Sequence, residues 1–561
     1  MSNARLLGSS LSLLSLFCAC HSQGLAPAEG AAGRVSGADS PVPGADESPV
    51  SRPLRSVSAE AQRAFDRGLY LMWAFNHDGA IAAFGEAARQ APHSPMPWWG
   101  VAFAHGPHIN NPALDPSRGE AAWKALQEAR ARLGAAEPVE RDLIEALAAR
   151  YSADFSAPRA PLDQAFADAM RRVQRQYPAD ADVRAWCAEA LMDVHPWDLW
   201  TQEQAARDWT PEIVELLEHG LAQAPDHPGL CHLYIHAMEA GPLPGRAAAA
   251  AERLANHRGD AGHLIHMPAH IHARLGRWAE AAEANRRAIA ADTAQAARFP
   301  RDGFYRLYMA HNHHFLAWAC MMLGDRGGAQ AAARAMVDGV PQEFIQQMAP
   351  TVDGYLPVDL HVEVRFGQWS EILARPAYAP ELKICNAVRH YARGVALTAL
   401  DRLDEAEREL VEFDVVVAGI EESRPIGNNP ARTVLQIPRN LLGGELEFRR
   451  GEVEIGLDLL REAVRLQSLL VYDEAPDWMM PARHTLGAAL LVARRFEEAE
   501  EVFRADLAQY PENGWSLFGL RRALEGRGAT AAAAELMPRF EKSWSHADVQ
   551  LTSPCFCQAG R

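Results

Sequence analysis

The chain has 561 residues, several times the ~100–200 of one ordinary domain, so it is either a set of domains or an array of repeated units. A formal charge of −17 argues against a nucleic-acid binder, because a phosphate-binding surface needs clustered Lys and Arg, and here the arginines are interspersed with Glu and Asp. Alanine and leucine dominate, and β-branched residues rarely alternate with polar ones, which points to helix rather than sheet.

The first element in chain order is an address. Arg5 precedes an apolar run from Leu6 to Phe17, too short to cross a bilayer, which reads as a signal peptide over 1–20. Cys20, preceded by Ala19, resembles the lipidated cysteine of bacterial lipoprotein signals, although the bulky Phe17 and Cys18 depart from the usual pattern and leave ordinary signal cleavage as the alternative. With no Asp after Cys20, the lipoprotein reading places the chain at the outer membrane of a Gram-negative host, held only by its lipid anchor. Residues 21–57 are rich in Gly, Pro, Ala and Ser, cannot build a core, and read as a tether.

From Ala61 a repeating grid begins. Gly68, Ala80, Phe84, Ala87 and Pro92 put small, small, aromatic, small and proline residues at positions 8, 20, 24, 27 and 32. Gly487, Ala499, Phe503 and Pro511 fit the same grid, and Gly394 with Ala406, or Gly444 with Gly456 and Ala463, fit it more loosely. Each unit is predicted to be two antiparallel helices that cannot bury their apolar face without a neighbour. Three stretches follow: 58–225, a histidine-rich 226–380, and 381–548, with a tail over 549–561.

Within the first stretch, Glu189 and Asp193 lie one helical turn apart, followed by Trp197, Asp198 and Trp200 in a loop. These carboxylates are candidates for a general base or for further metal ligands, against a plain reading as an inter-repeat loop packed by aromatics. His77, His108 and Asn110 are polar too, but lie several repeats from the central histidines, and only a strongly curved array joins them.

The central stretch carries the chemistry. "HLYIHAMEA" starts at His232 and "HMPAHIHAR" at His266, thirty-four residues later. Residues i, i+3, i+4 and i+7 share a helix face, so His232, His236 and Glu239 form one stripe and His263, His266 and His270 another. His311 and His314 form a third. Ten of the 22 histidines fall between His232 and His314, where chance places about three. Packed helices lie ~8–10 Å apart, so imidazoles from neighbouring stripes can meet at one ion. His361 is a further candidate ligand, His272 and His313 read as structural, and Pro268 predicts a bend that weakens the stripe at His266.

Imidazole with carboxylate and no thiolate stripe suits one or two transition-metal ions, Zn, Fe, Cu or Ni, rather than Ca or Mg. Eight candidates exceed one tetrahedral centre, so some must orient the ligating imidazoles or there are two ions. "YDEAPDW" (Tyr472 to Trp478) reads as a polar turn without an assignable role, and "CFC" at Cys555 to Cys557 as an inert, frayed tail, with a soft-metal site as the alternative. There is no Gly-x-Ser-x-Gly, P-loop, dinucleotide fingerprint or HExxH.

With "GLYLMWAFNHDGAI", "WWGVAFAHGPHIN", "EALMDVHPWDLW", "HLYIHAMEA", "GHLIHMPAH", "HNHHFLAW" and "YDEAPDW" in this order, the chain resembles bacterial tetratricopeptide-repeat proteins of the histidine-rich exported type. The resemblance covers roughly residues 59 to 550, with one departure at His108, where the group more usually shows Asn. It implies an all-α solenoid and no particular reaction. It further implies that ligands sit on the concave surface at positions 2, 5, 9 and 12 of each first helix, where His232, His236, Glu239, His263, His266, His270, His311 and His314 all fall. The reading is a metal-dependent enzyme acting on a small molecule or peptide in that groove. Alternatives are a metal-free scaffold for a peptide or cell-envelope protein, and metal capture or storage.

Overall fold

The computed structural model describes residues 48–257, 259–296 and 304–558. The signal and Cys20 therefore lie outside the described residues. The described chain is all-α, apart from two-residue strands Pro425–Ile426 and Asn429–Pro430 that pair as a hairpin. Helices pack as consecutive antiparallel pairs, among them Ala59–Trp73 with His77–Gln90, Tyr305–Leu323 with Arg326–Asp338, Lys383–Ala399 with Leu403–Ala418, and Ala482–Val492 with Phe496–Gln509. No described helix is long and apolar enough to cross a membrane.

The grid residues explain the pairing. A Cβ added at Gly68 or Gly100 would come within 2.5 Å or 2.7 Å of the Phe84 ring, so one aromatic is clasped between the bare backbones of two successive repeats. Phe503 is clasped in the same way between Gly487 and Gly519. Only glycine permits this approach, and a methyl group there forces the ring off its rotamer, at ~1–3 kcal/mol. Side-chain caps fix where helices start: Asn76 accepts from the Gly79 amide at 3.1 Å, and Asp180 from the Val183 amide at 3.1 Å.

Two large apolar cores result, one running from Val50 to Tyr308 and one from Ala269 to Cys557. They interleave in the helices Gly262–His266, Pro268–Arg274 and Tyr305–Leu323, where Met267 and Ile271 belong to the first and Ala269 and Ala273 to the second. This seam carries His263, His266, His270 and His311. The tail is not frayed: a short turn at Phe556–Gln558 docks against the helices Val358–Arg365, Lys383–Ala399 and Ala482–Val492.

Candidate metal centre

Pro228 at the first helical position and the His227 ring, whose Nδ1 accepts from the Leu230 amide at 3.1 Å, start the helix Pro228–Glu239 that carries the first stripe. The second stripe crosses a break. One helix ends at His266 and the next begins at Pro268, but Met267 keeps α-region angles (φ −50°, ψ −36°). The break therefore bends the helix without turning the stripe away, and His266 and His270 still present their Nε2 atoms to each other at 2.7 Å.

Six histidines gather in two sets of three, the members of each set offering one ligand atom within 4.8 Å of the others: His232, His236 and His263, and His266, His270 and His311. In the first, His232 Nε2 meets His263 Nε2 at 3.1 Å; in the second, His311 Nε2 meets His266 Nε2 at 3.1 Å. The sets adjoin, with the His263 and His266 rings stacked 6.0 Å apart. All six are buried except His311, which is partly so.

The opposite ring nitrogens decide what the Nε2 atoms can be. His232 Nδ1 lies 2.6 Å from the Trp73 carbonyl oxygen, which can only accept, so the proton sits on Nδ1 and Nε2 carries a lone pair. His266 Nδ1 lies 2.8 Å from Asn285 Oδ1, whose orientation is fixed by its amide donating to the Ala281 carbonyl at 2.8 Å. His236 Nδ1 donates to Glu239 Oε1 at 2.7 Å. His270 Nδ1 faces the second oxygen of Glu239 and, at 2.9 Å, Glu474 Oε2. The last two approaches have ion-pair distance without hydrogen-bond alignment, since His270 Nδ1 and both facing oxygens lack a hydrogen-bond partner. The Nε2 atoms of His266 and His270, 2.7 Å apart, can share one cation, either a proton carried by His270 or a metal ion. The first set leaves His236 Nε2 buried with no partner.

Electrostatics follow the same division. Burial, reinforced by neighbouring imidazoles, drives His232, His263, His266 and His311 well below the ordinary histidine range, so they are neutral and available as ligands. Burial would lower His270 too, but the carboxylates of Glu239 and Glu474 outweigh it and hold it up to about 10. Where no metal is bound, a proton supplies the missing cation.

Glu239, placed on the stripe as a ligand, reaches both sets, with one oxygen on His236 and the other on His270, and with His270 and Glu474 it forms a further group whose ligand atoms lie within 4.8 Å of one another. His314 turns away: its ring meets the edge of Tyr355 at 5.6 Å and the site of His361, whose own ring sits on Trp478 at 4.7 Å. Neither joins a convergent set. Glu189 and Asp193 occupy a separate buried patch, where Asp193 accepts from Arg150 Nη2 at 2.7 Å and both Glu189 oxygens are unpartnered. Burial raises Glu189 well above the carboxylate range and Asp193 to about 7, with Arg150 opposing the rise. The loop after them does wall the site, since Trp197 lies edge-on to His236 at 5.4 Å and Trp200 Nε1 donates to the Ala237 carbonyl at 2.8 Å.

Two contributors come from the ends of the array. Phe75 fills the space against His232 at 4.4 Å and His108 at 4.6 Å, and His108 touches His77 at 4.3 Å, so the solenoid curves enough to bring its first repeat onto the centre. Glu474, in the turn that had no assignable role, arrives from the other end, with the Tyr472 hydroxyl donating to its carboxylate and Arg274 stacked over Tyr472 at 5.6 Å. The same turn, with Arg274, Trp318 and Tyr510, lines a cavity of about 80 Å³ that reaches Glu474.

No protein-family model matches the chain, and no curated protein does. Solved structures with a similar course include the human IFIT1 dimer with m7Gppp-AAAA, at 11% identity over 88% of this chain and 91% of that one, with a TM-score of 0.33. Another is the APC/C hetero-tetramer Cut9–Hcn1, at 9% identity over 90% and 79% of the two chains, with a TM-score of 0.30. Nothing about binding follows from similarity at this level; the helix pairs and their glycine–aromatic clasps carry the description of the fold.

Proposed function

We propose that the chain is a metalloprotein holding two transition-metal ions, Zn, Fe or Cu, one in each three-histidine set, and that it acts on a small molecule admitted to their open positions. The observation that carries the reading is the convergence of six imidazoles in two sets, the ligand atoms of each set lying within 4.8 Å of one another. All-imidazole donors suit these ions, and three protein ligands leave a fourth position for water or substrate, the arrangement of catalytic rather than structural sites. Such an ion, when bound, supplies Lewis acidity or redox chemistry. The chain's own residues hold the imidazoles in one tautomer through Trp73, Asn285, Glu239 and Glu474, and exclude bulk water with Phe75, Trp197 and Phe315. Burial of both sets limits the reacting partner to something small, and a peptide would have to lie elsewhere on the solenoid. Two ions in 561 residues are too few for storage.

The resemblance to histidine-rich exported tetratricopeptide proteins belongs to the same proposal, as does an address at the cell envelope through lipidated Cys20. The test of function is elemental analysis of protein made without a histidine tag. Two ions per chain are expected, and wild-type protein without metal after growth in metal-replete medium would hand the argument to the scaffold reading. The address is tested by Cys20→Ala, which should leave the membrane fraction; unchanged fractionation refutes the anchor.

A further inference from the structure

Outside both histidine sets, the docked tail joins Cys555 and Cys557 in a disulfide. A bond between residues two apart restricts the unfolded chain very little, because the stabilisation grows with the logarithm of the loop closed. Stapling the fold is therefore not what it contributes.

Its surroundings are those of a reactive group. Glu445, on the helix Ala431–Arg450, brings a carboxylate oxygen within 4.8 Å of both sulfurs. Glu445 is 2% exposed and its Oε2 has no hydrogen-bond partner. Burial pushes its carboxyl up to about 8, Arg449 only partly opposing, so near neutrality it is an acid with a proton to give. The Thr485 hydroxyl reaches Cys555 Sγ at 3.7 Å. Cys555 is partly open to solvent while Cys557 is buried, so an attacking group meets one sulfur and the other becomes the leaving group. The remaining described cysteines, Cys187, Cys231, Cys320 and Cys385, are all buried, with thiols that burial raises to about 12 for the first three and well up for the last. They are inert at neutral pH.

We propose that Cys555 and Cys557 form a redox-active thiol–disulfide couple that exchanges with dithiols, with Glu445 as its proton donor and acceptor. In reduction, one sulfur of an external dithiol attacks as thiolate at Cys555 Sγ, and the Cys555–Cys557 bond breaks. Its electron pair leaves on Cys557 Sγ, which takes the Glu445 proton. The second external thiol gives its proton to the Glu445 carboxylate and attacks the external sulfur of the mixed disulfide, and Cys555 departs as thiolate to be protonated from solvent. Two electrons and two protons pass to the cysteine pair, and the dithiol becomes a disulfide.

The experiment uses the full chain in graded mixtures of oxidised and reduced dithiothreitol, quenched by alkylation and read by peptide mass spectrometry. Two alkyl groups should appear on the peptide holding Cys555 and Cys557 in natively folded protein, before any of the four buried cysteines is labelled. Glu445→Gln should slow the exchange about tenfold at pH 7, a modest share of what a positioned acid supplies. That ratio should shrink as pH rises past the value of about 8 at which the acid ionises. Glu445→Asp, which keeps an acid, should recover part of the rate and separate loss of the proton from damage to packing. Reduction only in denaturant, or a Glu445→Gln rate equal to wild type at pH 7, would overturn the proposal. So would a zinc ion bound to the reduced pair, which would make the cluster a metal site instead. Metal held by the histidines should be unchanged in Cys555→Ser, so failure here leaves the central reading standing.

Discussion

The two histidine sets are alike in donors and unlike in what stands behind them. Glu239 backs one imidazole in each, His236 and His270, but the first set otherwise rests on a neutral peptide carbonyl behind His232, whereas the second gains a further carboxylate, Glu474, behind His270 and an amide oxygen behind His266. A carboxylate behind an imidazole raises its basicity and its hold on a metal. The second set, with one carboxylate more behind it, is thus built to grip harder than the first. One motif, repeated after thirty-four residues, has been given two electrostatic settings by residues outside the motif.

The sharpest test of that contrast deletes one ligand from each set. His266→Ala should remove one ion outright, and His232→Ala should remove the other; elemental analysis showing both ions lost in both variants would merge the two settings into one inseparable unit. Next in size is Glu239→Gln, which touches both sets and should weaken metal affinity ~10–100-fold at each. Competition with a chelator measures it, and an effect confined to one set would break the shared backing inferred for Glu239. Glu474→Gln should act on the second set alone, by ~10-fold, at the low end of that range. The smallest effect belongs to His272→Ala, two residues from His270 but outside both sets: metal content should stay whole while stability falls by ~1 kcal/mol.

Acid should expose the same difference. Ligands bind as neutral imidazoles, so metal is lost as pH falls, from the second set first, because His270, held up to about 10, takes a proton far more readily than His232 or His263, which burial holds well below the ordinary range. The metal-free protein has its own acid limit. His77 and His361 are held down to about 3 and His314 to about 4, chiefly by burial. A folded value below the unfolded ~6.5 means stability that is complete above that pH and is lost as pH falls from there toward 4 and 3. A thermal unfolding series over this range measures it, and a flat profile would show that water reaches these rings.

Much of this was legible from spacing. The glycine–aromatic grid located the helix pairs, and helical periodicity put His232, His236, His263, His266 and His270 on facing stripes, because both signals are local in sequence. His314 was not separable from His311 that way, since three residues on a helix differ by 60° and only the neighbours decide which imidazole is drawn inward. Glu474 and Phe75 were invisible as members of the site: they come from opposite ends of the array, and no local pattern encodes how far the solenoid curves. The role of Glu239 lies between. Its place on the stripe was readable, but that it spans two sets depends on where the next helix lands.

That closure also sets an order of events during synthesis. The six imidazoles lie between His232 and His311, whereas Glu474 lies more than 160 residues further on. As the chain emerges, both histidine sets can form before the carboxylate that completes the second one exists. Contacts of such long sequence separation are slow to make. A folding chain would therefore meet metal with two nearly equivalent pockets, and the difference in grip would arise only when the C-terminal repeats swing home.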